Sequence, residues 1–78
     1  MGNHQLRHLI KMANQIANNN QHAGDEDAVS EIVATHLQKF WARSMKAQII
    51  DYNQTSGGDN LLTPTAQTAV NKLVPPSA

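Results

Sequence analysis

His36-Leu37-Gln38-Lys39-Phe40-Trp41-Ala42-Arg43-Ser44-Met45-Lys46 decides whether the middle of this 78-residue chain is one long helix or two. Upstream, Val29, Ile32, Val33, Leu37 and Phe40 recur at spacings of three and four, which puts them on one stripe of a helix from about Ala28 to Trp41. Downstream, Met45, Ile49 and Tyr52 are also helically spaced, yet at ~100° per residue they point almost opposite to the first stripe. One straight helix cannot bury both sets against a single core. A break is therefore expected near Ala42-Arg43-Ser44, with Ser44 as candidate N-cap, although no Gly or Pro enforces it. The alternative is a continuous helix that contacts two different neighbours.

Working outward toward the N-terminus, Leu6, Leu9, Ile10, Ala13, Ile16 and Ala17 form a second helical stripe. It fades in Asn18-Asn19-Asn20, whose short amide side chains compete for backbone groups and favour helix ends. Between the two stripes, Asp25-Glu26-Asp27 sits where carboxylates cap free N–H groups and meet the positive end of a helix dipole. The D-x-[DN]-x-[DN]-G spacing of a calcium loop is absent there.

Toward the C-terminus, Thr55-Ser56-Gly57-Gly58-Asp59 lies within a loop from Asn53 to Asn60, and neither phosphate-binding glycine motif is present in it. Thr63-Pro64 then opens a last helix, with Thr at the N-cap, Pro at the first helical position, and Ala66, Ala69, Val70 and Leu73 as its stripe. Pro75-Pro76 stops it. No stretch alternates with period two, so the expected fold is all-α: a compact orthogonal or bundle-like arrangement of three to four short helices. We expect a single domain over 1–74 and a disordered tail at 75–78.

A core this small rarely supplies more than about 3–5 kcal/mol without a disulfide, a metal or a partner. The chain has no cysteine, so disulfides and thiolate chemistry are excluded together, and a cytoplasmic setting fits. Six basic and six acidic residues leave no net pull toward nucleic acid. No apolar run approaches the ~20 residues of a membrane span. Help from a partner protein, or a homodimer when the chain is isolated, is the remaining expectation.

Few residues suggest chemistry. His4 and His8 share a helix face at a spacing that can hold a metal, but Gln5 stands where H-E-x-x-H needs glutamate, and two solvated histidines are the plainer reading. His22 falls in a loop. His36 falls on the Val29-to-Phe40 stripe and is expected as a buried polar group tied to a backbone carbonyl or to another helix, with a pH-sensitive partner contact as the alternative. No nucleophile or carboxylate pair is placed by sequence to make it a general base. Lys39, Arg43 and Lys46 follow at spacings of four and three beside Trp41. Together they form either a solvated basic face or a patch for phosphate or an acidic protein surface.

Two blocks carry a resemblance. Leu9-Ile10-Lys11-Met12-Ala13-Asn14-Gln15-Ile16-Ala17, and His36-Leu37-Gln38-Lys39-Phe40-Trp41 with Met45, precede a Gly-containing loop and Leu62-Thr63-Pro64. In this order the chain resembles the delta subunit of NAD-dependent, molybdenum-containing formate dehydrogenase, from about Leu6 to Leu73. Ala42-Arg43-Ser44-Met45 departs from that family's pattern, with Arg43 where proline is expected and Ser44 where arginine is expected.

The resemblance implies a helical accessory subunit with no cofactor of its own. It would assist the assembly, maturation or stability of a complex whose larger subunits carry molybdopterin, iron–sulfur clusters and flavin. Asn14 and Gln15 lie off the core stripe, so contact with such a partner would explain them. The expected partner surface is Asn14, Gln15, Lys39, Trp41, Arg43, Met45 and Lys46. The alternative is a regulatory module that binds a nucleotide or phosphate through the basic patch and stacks it on Trp41.

Overall fold

In a computed structural model, which describes residues 3–73, the chain folds into four α-helices: α1 Asn3–Asn19, α2 Glu26–Phe40, α3 Arg43–Thr55 and α4 Pro64–Asn71. Each end has a local cause. The Asn20 side chain donates to the Ile16 carbonyl at 2.8 Å, satisfying one of the carbonyls left open where α1 stops. One 3₁₀ turn, Gln21–Ala23, follows, and Gly24 then reverses the chain at φ 153°, where an added Cβ would meet the Ala28 Cβ at 3.1 Å. Asp25 caps α2 by accepting from the Ala28 N–H at 2.9 Å. Thr63 does the same for α4, accepting from the Ala66 N–H at 3.3 Å, with Pro64 as its first helical residue. The expected tail at 75–78, the Pro75-Pro76 stop and the ends of the expected 1–74 domain lie outside the described residues.

The break in the central stretch is real and sits slightly earlier than expected. Trp41 and Ala42 are both extended, at ψ 141° and 156°. The Trp41 N–H still donates to the Leu37 carbonyl at 3.0 Å, closing α2. Ala42, not Ser44, occupies the N-cap of α3, and no side chain caps it. Arg43 is thus the first residue of α3, the position at which proline is favoured.

The core collects Leu9, Ile10, Ala13 and Ala17 from α1, Ile49 and Ile50 from α3, and Ala66, Ala69 and Val70 from α4, with Leu62 and Leu73 beside it. Helix α4 packs against all three others, and most extensively against α2. That pairing corrects the expected face of α2. Both helices turn small residues inward, Ser30 and Ala34 from α2 and Thr65, Ala66 and Ala69 from α4, and such residues let helix axes approach closely. Helix α2 is consequently rotated toward Ser30 and Ala34 while keeping Val29, Val33 and Leu37 inside.

Residues on the opposite flank of the expected stripe come out into solvent. Ile32 is 40% exposed, Phe40 is 72% exposed, and His36 between them is exposed rather than a buried polar group. Trp41 takes the place in the core that Phe40 was expected to hold, and is only 6% exposed. Its extended backbone redirects the side chain inward just after α2 ends. The radius of gyration, 11.6 Å, matches the roughly 11–12 Å of a compact chain of this length.

Candidate functional site

The corner between α2 and α3 does not assemble the expected aromatic and basic patch. Trp41 is buried and offers no face for stacking. The Lys46 ammonium donates to the Gln38 carbonyl at 3.2 Å, bracing the last turn of α2, where a cation meets the negative end of the helix dipole. Met45 packs partly buried against the core. Lys39 and Arg43 remain exposed, two cations without an adjacent exposed indole. The exposed feature here is instead a ridge along α2. Ile32, His36 and Phe40 stand four apart, and the His36 and Phe40 rings lie 4.9 Å apart, tilted by 47°.

Asn14 is used within the chain. Its amide nitrogen donates to the Leu61 carbonyl at 3.0 Å, and its amide oxygen accepts from the Thr63 N–H at 2.8 Å. Both ends of one side chain on α1 thereby fix the segment that leads into α4. Gln15 is exposed. The same segment is held from other sides. The Tyr52 hydroxyl accepts from the Leu61 N–H at 2.8 Å, Asn60 accepts from the Leu62 N–H at 2.9 Å, and Gln67 donates to the Leu62 carbonyl at 2.9 Å.

This fixed loop presents a residue that the sequence reading missed. Leu62 is buried, whereas Leu61 is 68% exposed although both of its backbone groups are hydrogen-bonded. Leu61 borders a concavity of about 360 Å³ that is also lined by Arg7, Ile10, Lys11 and Asn14. Arg7 and Lys11 lie one helical turn apart, and among the described residues neither is paired with a carboxylate. The available sequence signal was the charge of α1, which carries Arg7, Lys11 and two histidines and no acidic residue.

A second hollow, of about 260 Å³, lies between α2 and the end of α4, beside Lys72 and Glu31. The Lys72 ammonium sits 3.1 Å from Glu31 and 3.4 Å from Asp27. The hydrogen bond to Glu31 is the main cause that raises the Lys72 pKa above its ordinary 10.5, with the charges of Asp27 and Glu31 adding to it and desolvation opposing it. This is a link between helices that carries no chemistry. Among the described residues no group of three or more His, Cys, Asp or Glu is arranged to hold a metal, and no helix is long and apolar enough to cross a membrane.

With these positions in view, comparison with known proteins identifies the lineage of the fold. Residues 8–70 match the family described as NADH-dependent formate dehydrogenase delta subunit FdsD. The chain belongs to this family. No curated protein and no solved structure matches it. In this delta-subunit family member the matched span runs from within α1 to within α4. It includes the Asn14 clamp, the corner at Trp41 and the exposed Leu61, while Arg7 lies just outside it.

Proposed function

We propose that this delta-subunit chain is a non-catalytic accessory subunit that binds the larger subunits of an NADH-dependent formate dehydrogenase in the cytoplasm and assists the assembly, maturation or stability of that complex. Membership of the delta-subunit family over residues 8–70 carries this reading. The surface supports it, because Leu61 stands 68% exposed on a fixed loop, apolar area for a partner to cover. The isolated chain is expected to self-associate when that area has no other cover.

Co-purification tests the proposal. A tagged chain produced in cells that express the complex brings down the larger formate dehydrogenase subunits, and deleting the chain lowers the yield or cofactor content of the enzyme. Recovery of the tagged chain alone from such cells overturns it.

A further inference from the structure

Three exposed features lack a structural purpose within the chain: the α2 ridge, the pair Lys39 and Arg43, and the concavity beside Leu61. The ridge is bordered by Glu31 and Lys39, charges of both signs, so nothing selects its occupant. The second pair loses its neighbour Lys46 to the Gln38 carbonyl. Only the third combines an apolar anchor, a shape and a single sign of charge.

Leu61 is held rigidly, its N–H by Tyr52 from α3 and its carbonyl by Asn14 from α1, while its side chain projects into solvent beside Ile10. Fixing the backbone of an exposed apolar residue in advance lowers the ordering cost of any contact it later makes. Arg7 and Lys11 flank it from α1. Helix α1 carries no acidic residue, so neither has a carboxylate partner on its own helix.

Resting on the accessory-subunit reading, we propose that the concavity of Arg7, Ile10, Lys11, Asn14 and Leu61 is the docking site for an acidic amphipathic segment of a larger formate dehydrogenase subunit. An apolar side chain of that segment covers Leu61, and carboxylates on either side of it meet Arg7 and Lys11. The apolar contact supplies affinity, and the charges supply orientation and a fast encounter.

A second copy of this chain fits the site less well, because three of its six acids are engaged within the chain and the other three are scattered. Asp25 caps α2, Asp27 and Glu31 are paired with Lys72, and Glu26, Asp51 and Asp59 lie on three separate elements, where they form no acidic segment. A nucleic acid strand has no counterpart for the exposed Leu61, and the chain has no net positive charge to attract one.

The test uses the full-length chain and the purified larger subunits, with wild type, Arg7→Glu/Lys11→Glu, Leu61→Asp and Phe40→Ser compared by capture, each checked for an unchanged melting curve. The two site variants are expected to bind at least about tenfold more weakly than wild type. Phe40→Ser is expected to bind like wild type. Wild-type capture is expected to weaken as sodium chloride is raised, and the charge-reversed variant is expected to lose that salt dependence. Equal capture by wild type and both site variants overturns the proposal, as does loss confined to Phe40→Ser. A charge reversal that dissolves a homodimer in sedimentation while leaving capture intact assigns the site to a second copy and also overturns it. If wild type captures none of the larger subunits, the accessory-subunit reading itself has failed, an outcome distinct from these.

Discussion

Asn14 on α1 and Thr63 at the start of α4, 49 positions apart, are joined by a 2.8 Å hydrogen bond from the Thr63 N–H to the Asn14 amide oxygen. The other end of the same amide donates to the Leu61 carbonyl at 3.0 Å. One side chain thus replaces two backbone partners across the gap between distant helices, and it does so beside the cap that starts α4.

Asn14→Ala leaves the Thr63 N–H and the Leu61 carbonyl without their protein partners and is expected to cost about 1–3 kcal/mol. In a domain of this size each kcal/mol lowers Tm by roughly 4–8 °C. Asn14→Asp retains the acceptor for Thr63 and loses the donor to Leu61, so it falls between wild type and alanine. Urea denaturation of the three proteins checks the order, and alanine melting like wild type would exclude the clamp.

The corner residues separate in the same experiment. Trp41→Ala empties a buried site and is expected to cost about 3–5 kcal/mol, comparable to the whole stability of a core this small, so that variant is largely unfolded. Phe40→Ala removes a side chain that is mostly in solvent and changes stability by no more than about 0.5 kcal/mol. Circular dichroism of both variants decides the matter. Comparable loss of helix in the two would place Phe40 back in the core.

Much of this fold was legible in the sequence, for identifiable reasons. Periodicity located α1 from Leu6 to Ala17, and the caps Asp25 and Thr63 were readable because their chemistry is local. The break between Leu37 and Met45 followed from two stripes that point apart. The errors at Ile32, His36 and Phe40 share one cause. A hydropathy stripe weights large apolar side chains, whereas the rotation of α2 is set by Ser30 and Ala34 turned inward at its contact with α4. The intrachain bonds of Asn14 were not legible because they reach Leu61 and Thr63, too far along the chain for any spacing rule. Leu61 was missed because Leu61-Leu62 does not say which of the two faces inward.

Arg43 is the first residue of α3, so its N–H is among those that no helical carbonyl can satisfy. Ala42 before it is already extended, at φ −64° and ψ 156°, the conformation a following proline demands. Arg43→Pro is therefore compatible with the native backbone and is expected to stabilise the chain by about 0.4–1 kcal/mol through the unfolded state. The measurement is the urea midpoint, and a lowered midpoint would mean that the break at Trp41-Ala42 differs from this geometry.

Lys72 bridges α4 to Asp27 and Glu31 on α2, and the hydrogen bond to Glu31 leads the causes that raise its pKa above 10.5. A base whose pKa is raised by folding stabilises the native state while it is protonated. The contribution is fully present below pH 10.5 and is lost as pH rises through the raised value. Because the partners are largely in solvent, the effect is small and is screened by salt. Lys72→Met isolates it from other groups that titrate at alkaline pH. The stability difference between wild type and Lys72→Met is expected at about pH 8 in low salt and to shrink toward about pH 12. A difference that stays constant across that range would show that Lys72 contributes through the packing of its aliphatic stem and not through its charge.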